Sequence, residues 1–105
     1  MPTFEANGRS YDVDEDGFLE NPEIWNEDVA KAFAETEGVG ELNDRHWMVI
    51  NFMREQFQAK GDAPSIRKLT KESGVNTKEL YALFPKGPAK KSAKIAGLPK
   101  PKGCI

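Results

Sequence analysis

One stretch of the chain predicts a helix that other elements must cover on several sides. Residues 45–60 hold a dense set of large apolar side chains: Trp47, Met48, Val49, Ile50, Phe52, Met53 and Phe57. On a helix they spread over more than half of the circumference, which a helix with a single buried face does not require. Asn43 or Asp44 can cap its start and Gly61 can end it. We therefore expect a central helix with shorter elements packed around it.

The remaining residues predict those shorter elements. Asn7-Gly8 separates two short alternating runs, which is the pattern of a β-hairpin. Three further helices are expected between capping residues and breakers: about Glu27 to Glu37 after Asn26, from Pro64-Ser65 to Gly74, and from Asn76 or Thr77 to Pro85. The predicted fold is mainly α, a small helical bundle containing a helix-turn-helix-like pair, with an N-terminal β-hairpin and a flexible C-terminal arm.

Charge divides the chain into two parts. Residues 1–85 carry 17 acidic and 9 basic side chains, whereas residues 86–105 carry six lysines and no acid. Prolines and glycines in residues 97–105 argue against regular structure there, although residues 89–96 are able to form a short helix. At 105 residues we expect one domain, 1–105, with a body of residues 1–85 and a basic arm of residues 86–105.

The composition is that of a water-soluble globular protein, with 38% hydrophobic and 30% charged residues. No apolar run approaches the roughly 20 residues that a membrane-spanning helix needs, and the first residues are acidic and polar with no signal-peptide core. We expect a cytoplasmic protein with no membrane contact. One cysteine cannot form an internal disulfide, so its role must be chemical or structural in another way.

An acidic segment, residues 12–23, fits the calcium-loop pattern of EF-hands. That pattern needs a helix on each side, whereas a hairpin is predicted before it and Pro22 stands where the second helix would begin. An acidic turn after a strand is the favoured interpretation, with calcium as the alternative. His46 is the only histidine and has no partner at zinc-ligand spacing, so we expect a structural role for it, no metal site and no cofactor.

Residues 65–81 read as helix, glycine turn, helix, and so resemble a helix-turn-helix DNA reader. The second helix would be the recognition helix, but it offers only Lys78, next to Glu79. Because the body is acidic, it could neutralise few phosphates outside the arm. Two helices packed in a core are the favoured interpretation, and a DNA-binding regulator is the alternative. Trp25 and Trp47 are expected in the core rather than as a stacking platform for bases.

The chemistry of the chain centres on Cys104, which is next to last. Free cysteines are usually buried, yet this one follows Pro101, Lys102 and Gly103 at the extreme terminus, where burial is not expected. Neighbouring lysines favour the nucleophilic thiolate, and the terminal carboxylate of Ile105 opposes it. By composition alone the lysine-rich end could be just a solvated or nucleic-acid-attracted tail. We interpret Cys104 as a nucleophile on an arm that reaches into a partner, as suits a group carrier.

Residues 84–105 resemble the C-terminal arm of the DsrC/TusE family, and the likeness continues in residues 13–19, in His46-Trp47 and in residues 63–67. This family comprises the gamma-subunit-like partner of dissimilatory sulfite reductase and its relative in the sulfur relay for tRNA 2-thiouridine synthesis. The resemblance implies a helical bundle with an N-terminal hairpin. It also implies a penultimate cysteine that carries sulfur as a persulfide, and Cys104 matches that position.

The resemblance separates two branches of the family. DsrC has a second arm cysteine eleven residues earlier, used for an internal disulfide or trisulfide, and this chain has Ala93 there. The single thiol, with residues 87–90 and 94–97, is more similar to TusE. The implied function is a sulfurtransferase that acts as a persulfide carrier rather than as a stand-alone enzyme. Its partners would be a sulfur-donor protein complex and an acceptor enzyme, either a tRNA thiolase with indirect tRNA contact or, in the DsrC-like alternative, a sulfite reductase.

Overall fold

The structure is a computed structural model that describes residues 2–99. Its elements in chain order are β1 (Thr3–Ala6), β2 (Arg9–Asp12), a 3-10 helix (Pro22–Ile24), α1 (Glu27–Thr36), α2 (Asp44–Lys60), α3 (Ile66–Glu72), α4 (Thr77–Leu83) and α5 (Pro88–Ile95). The predicted fold class, a mainly α bundle with an N-terminal hairpin, is confirmed for this part of the chain.

The hairpin forms at the Asn7-Gly8 pair. Both residues have positive φ, 55° and 74°, as a two-residue turn between twisted antiparallel strands requires. Phe4 pairs with Tyr11 across the strands. Phe4 also stacks on Phe33 of α1 with ring centroids 4.2 Å apart, and Tyr11 is buried. The hairpin therefore packs on α1 and contributes to the core.

The acidic segment after β2 forms a tight turn. The Asp14 carboxylate accepts hydrogen bonds from the backbone N–H groups of Asp16 and Phe18, both at 2.9 Å. The chain then returns so that Val13 and Leu19 form an antiparallel bridge. Because Phe18 and Leu19 are both buried, the turn closes one side of the core.

Each predicted N-cap is confirmed. The side chains that accept backbone N–H groups at the helix starts are Asn26 for α1, Asn43 for α2, Ser65 for α3 and Asn76 for α4. Asn43 rather than Asp44 caps α2, and Asn76 rather than Thr77 caps α4. α2 ends at Gly61, whose φ of 79° is the left-handed conformation that stops a helix.

α2 is central, as expected. Val49, Ile50 and Met53 on it are fully buried, and it contacts both α3 and α5. Met48, counted among the apolar residues of this helix, is instead 40% exposed, because it lies at the margin of the contact with the turn at Gly74. Within residues 2–99 no helix is long and apolar enough to cross a membrane.

Residues 88–98 differ from the sequence-based expectation, which places them in the basic arm. α5 buries Pro88, Ala89, Ser92, Ala93 and Ile95, and it contacts α1, α2 and α4. Small side chains on one face of α5 allow this close packing. The lysines on the rest of the helix give the segment the composition of a solvated tail, so the sequence does not reveal the buried face. In the described residues, buried packing therefore continues beyond residue 85 to Leu98.

Candidate functional site

Cys104 lies outside the residues that the structure describes. The described residues that lead to it are α5 and the turn that follows. We call residues 95–99 the root, because the last part of the chain departs from the body there. The contacts of α5 and the root define the described part of the candidate site.

α5 is seated by small residues. Gly87 supplies a φ of 119° before the helix, a conformation open mainly to glycine, and Pro88 occupies the first turn. The fully buried Ser92 hydroxyl donates to the carbonyl of Pro88, so its polar group is satisfied. Ala93 is also fully buried. The position at which the resemblance to DsrC implies a second cysteine thus carries a core methyl group in this chain.

Two lysines of the basic arm bind the end of α1, and we call them the lysine pair. Lys91 Nζ donates to the carbonyl of Glu37 at 2.7 Å, and Lys94 Nζ lies 3.2 Å from the Glu37 carboxylate. Glu37 is the C-cap of α1, where the helix dipole favours positive charge. The lysine pair therefore anchors α5, so two of the six lysines of residues 86–105 bind the body.

The root begins with a Schellman turn. Gly97 has a φ of 74°, its N–H donates to the carbonyl of Lys94 at 3.1 Å, and the N–H of Leu98 donates to that of Ala93 at 2.9 Å. This is the usual way in which a glycine ends a helix. The turn places Leu98 in the core, where it is 1% exposed.

Trp25 and Arg54 hold the end of α5, and we call them the root clamp. Trp25 Nε1 donates to the carbonyl of Ile95 at 2.8 Å, and Arg54 Nη1 donates to that of Ala96 at 2.7 Å. The guanidinium carbon lies 4.0 Å from the centre of a Trp25 ring, a cation–π contact. The root clamp thus satisfies two carbonyls that the end of a helix leaves without intrahelical partners.

Gly97 fits closely against this clamp. A Cβ at Gly97 would lie 2.7 Å from Trp25 Cγ, 2.9 Å from Trp25 Cβ and closer still to Cδ1. No L-residue side chain fits there without movement.

Partial burial lowers the pKa of Arg54, because desolvation disfavours the charged form. Arginine nevertheless stays charged at neutral pH, so the root clamp carries a partly buried positive charge.

A cavity of about 380 Å³ adjoins the root. Its lining combines apolar and charged side chains: Pro22, Glu23, Arg54, Phe57, Gln58 and Leu98. A larger cavity of about 500 Å³ is lined by Lys31, Glu35, Gly40, Glu41, Leu42 and Trp47. Only the smaller of these two shares residues with the root and its clamp, so it is the one that a partner bound at the root would meet.

His46 has the structural role predicted for it. Its Nδ1 accepts the N–H of Asn43 at 3.1 Å, so the ring proton is on Nε2, which donates to the carbonyl of Leu83 at 2.9 Å. The imidazole is buried and lies edge-on to Phe84. His46 therefore completes the cap of α2 and joins it to the end of α4.

α3 and α4 form the expected helix pair, packed against the body. Glu79, at the start of the would-be recognition helix, accepts two hydrogen bonds from the Arg45 guanidinium, at 2.6 and 2.7 Å. This contact holds the pKa of the Glu79 carboxyl below its usual value. Arg45 Nη2 also donates to the carbonyl of Gly74 at 3.3 Å. The pair is thus anchored on α2, and neither charge of the ion pair is directed to a phosphate.

The acidic turn lacks the helices that an EF-hand requires. β2 precedes it and only a 3-10 helix follows it. The Asp14 carboxylate is occupied by backbone N–H groups of the turn itself. In the described range, no three or more His, Cys, Asp or Glu side chains are grouped so that they could hold a metal ion. These contacts favour the acidic turn over a calcium loop.

The residues of the root and of the root clamp could be predicted only in part from the sequence. Trp25 was expected in the core, and Arg54 and Gly97 were not singled out. Gly97 follows a helix-capable stretch, which is the signature of a helix-ending glycine. Arg54 is a charged residue between Met53 and Phe57 on the apolar central helix, a signal that a cation has a partner in the fold.

Comparison with known proteins agrees with this structure. The family model for DsrC-like proteins matches residues 5–105. The chain is 42% identical over 98 residues to the gamma subunit of the dissimilatory-type sulfite reductase of Nitratidesulfovibrio vulgaris, with 93% of each chain covered. It is 45% identical over 108 residues to sulfurtransferase TusE of Yersinia pseudotuberculosis, covering 96% of this chain and 99% of that one.

A solved structure gives the same result for the fold. The oxidized gamma subunit of dissimilatory sulfite reductase (DsrC) from Archaeoglobus fulgidus superposes with a TM-score of 0.83 at 41% identity, covering 99% of this chain and 100% of that one. The resemblance found in residues 84–105 is therefore confirmed over nearly the whole length. The chain belongs to the DsrC-like protein family.

Proposed function

We propose that this protein relays sulfur between partner proteins, with Cys104 as the carrier. The observation that supports it is the placement of the only cysteine, next to last in a chain that the DsrC-like family model matches through residue 105. The 45% identity to a sulfurtransferase, TusE, supports the same function. A carrier of this kind needs only one accessible nucleophile.

The transfer step is a thiolate attack on divalent sulfur. The Cys104 thiolate attacks the outer sulfur of the donor's cysteine persulfide. A new sulfur–sulfur bond forms on Cys104 while the donor's bond breaks, and the donor cysteine leaves as a thiolate. The outer sulfur keeps its proton, so Cys104 becomes a persulfide with no net oxidation. An acceptor nucleophile then takes that sulfur and restores the thiolate.

The partners in this proposal are a sulfur-donor protein complex and an acceptor enzyme in the cytoplasm. A tRNA-thiolating enzyme is the acceptor we favour, with indirect contact between the arm and tRNA. Lys100 and Lys102 shortly precede Cys104 in sequence and would favour both the thiolate and acidic or phosphate-bearing partners. The lysine pair does not contribute to this attraction, because Glu37 binds it.

A second candidate is a partner subunit of a dissimilatory sulfite reductase. The 42% identity to a gamma subunit favours it. Against the full redox cycle of that branch, the chain has one cysteine and therefore cannot close an internal disulfide. A lone relay thiol fits the residues better. Stable co-purification with a siroheme reductase would support the role of a sulfite reductase subunit. A salt-dependent gel shift with duplex DNA, unaffected by Cys104→Ser, would support the DNA-binding regulator considered for residues 65–81.

Intact-protein mass spectrometry tests the relay. The reduced protein is incubated with inorganic polysulfide, desalted and weighed, with Cys104→Ser treated in parallel. We expect one added sulfur atom on the wild-type chain, removable with a reducing thiol, and none on the variant. Full-strength sulfur addition to Cys104→Ser, or no addition to the wild type, would rule out Cys104 as the carrier.

A further inference from the structure

The end of α5 is held by side chains from two distant parts of the chain. Trp25 lies 70 residues before its partner Ile95, and Arg54 lies 42 residues before its partner Ala96. Both side chains bind backbone carbonyls at the last turn of α5. They therefore fix the backbone at the root itself, independently of which side chains occupy it.

These contacts exceed what the seating of α5 requires. The helix already has a buried face, the lysine pair at α1 and a complete Schellman turn. Carbonyls at an exposed helix end are ordinarily satisfied by water. Here Arg54 is partly buried at a cost to its charged form, and within residues 2–99 it forms no ion pair with a carboxylate. Its guanidinium donates to the carbonyl of Ala96 at 2.7 Å and to that of Pro22 at 3.4 Å.

Packing at Gly97 gives the same constraint from another direction. Its backbone lies so close to Trp25 that a Cβ would meet three atoms of that side chain. The left-handed turn at Gly97 and the Trp25 indole therefore restrict the backbone conformation that leads into Leu98. Two hydrogen bonds, a cation–π contact and this close approach all act within three residues of the root.

The short distance to the thiol makes the direction of the root important. Cys104 comes six residues after Leu98, so the thiol can lie at most about 20 Å from Leu98. If the chain were free from Pro85 onward, the limit would be about 65 Å. With the shorter span, the place and angle at which the chain leaves the body decide which surfaces the thiol can meet.

We propose that Trp25 and Arg54 are positioning residues for the sulfur relay: they set the direction in which the root presents Cys104 to partner proteins. This inference rests on the proposed function of Cys104. The residues act on the backbone of the root and not on the thiol. Their loss should change where the thiol is, while its reaction with a small sulfur donor stays the same.

Energy transfer between Trp25 and a dye on Cys104 tests the proposal without a partner protein. Cys104 is the only cysteine, and Trp47→Phe leaves Trp25 as the only tryptophan. In that background we compare Arg54→Gln with Arg45→Gln, a matched control that also removes a guanidinium bound to a backbone carbonyl. Unlabelled samples of each variant correct for changes in Trp25 emission.

We expect Arg54→Gln to widen the distribution of Trp25–dye distances about twofold and Arg45→Gln to leave it unchanged, because a short tether follows the direction of its base. Equal distributions in all three proteins would overturn the proposal. Sulfur uptake from inorganic polysulfide should stay within about twofold of wild type in Arg54→Gln, and its loss would instead mean that Arg54 acts on the thiol. No uptake in the wild type would refute the relay, while the distance measurement would still test the clamp.

Discussion

Two short helical regions of this molecule are held in opposite ways. α3 and α4, of seven residues each, bury one side chain apiece, Leu69 and Leu80, whereas α5, of eight residues, buries five. The α3–α4 pair is joined to α2 by a partly exposed ion pair between Arg45 and Glu79. α5 is joined to the body by the lysine pair, the root clamp and the buried turn at Leu98.

The comparison shows that sequence appearance and structural integration can diverge. The α3–α4 pair has the caps and the glycine turn of a familiar motif. Its only ion pair within the described range is partly exposed, and ion pairs in contact with water contribute little to stability. α5 is rich in lysine and alanine and looks like part of a solvated tail. Lys91 of α5 donates to the carbonyl of Glu37, and the carbonyls of Ile95 and Ala96 accept from Trp25 and Arg54, so α5 is part of the packed body.

The largest difference between the regions is expected from a buried charge. Ala93→Asp places a carboxylate in the core and should lower the free energy of unfolding by about 4 kcal/mol. Ala82→Asp, at an exposed position of α4, should cost no more than about 1 kcal/mol. Urea unfolding followed by circular dichroism gives both values. Similar losses of unfolding free energy in the two variants would mean that Ala93 is no more buried than Ala82.

Leucine truncation tests whether the body extends to residue 98. Leu98→Ala removes a fully buried side chain and should cost about 3 kcal/mol. Leu83→Ala, at a partly buried position of α4, should cost about 1 kcal/mol. The measurement is again the urea midpoint and slope. If residues 86–105 were wholly free of the body, Leu98→Ala would leave the unfolding free energy unchanged.

Two glycines with similar backbone angles separate backbone strain from steric clash. Gly74 and Gly97 have φ of 87° and 74°, so alanine at either should cost about 1 kcal/mol for the left-handed conformation. Gly97→Ala should lose about 1.5 kcal/mol more, because its Cβ would collide with Trp25. At Gly74 the nearest atom is Met48 Cε at 3.8 Å. Thermal unfolding of both variants measures the difference, and equal losses would contradict the close approach at the root.

The smallest effect is expected from the ion pair of the α3–α4 region. The hydrogen bond from Arg45 lowers the pKa of Glu79 in the folded state. The carboxylate therefore stabilises the fold above about pH 4.3, its usual pKa, and this contribution is lost as the pH falls through the lower folded value. Glu79→Gln should be slightly less stable than wild type near neutral pH and equal to it in acid. A difference in stability that persists in acid, or that does not change with added salt, would contradict an origin in the Arg45–Glu79 ion pair.

Much of the fold follows from local signals. Asn7-Gly8 forms the hairpin turn, and Asn26, Asn43, Ser65 and Asn76 cap the helices where they were expected, because a cap depends on atoms within a few residues. The same holds for Gly61, which ends α2. His46 could be assigned a structural role, although its bond to Leu83 could not be foreseen.

The attachment of α5 could not be predicted in the same way. It depends on contacts between residues far apart in sequence, such as Trp25 with Ile95 and Lys91 with Glu37. A run of alanines and lysines indicates a helix but gives no sign of its partner. The sequence predicts Cys104 as the reactive group, whereas the contacts of Trp25 and Arg54 with the end of α5 are visible only when the chain is folded.

The most direct measurement follows heavy sulfur through Cys104. The protein is loaded with 34S-labelled polysulfide, desalted, and chased with an unlabelled acceptor thiol, while intact mass and released sulfur are recorded over time. If Cys104 relays sulfur, the wild-type chain gains one labelled atom and returns to its starting mass as the label moves to the acceptor. Label that stays on the chain, or that reaches the acceptor equally through Cys104→Ser, would show that the relay does not run through this residue.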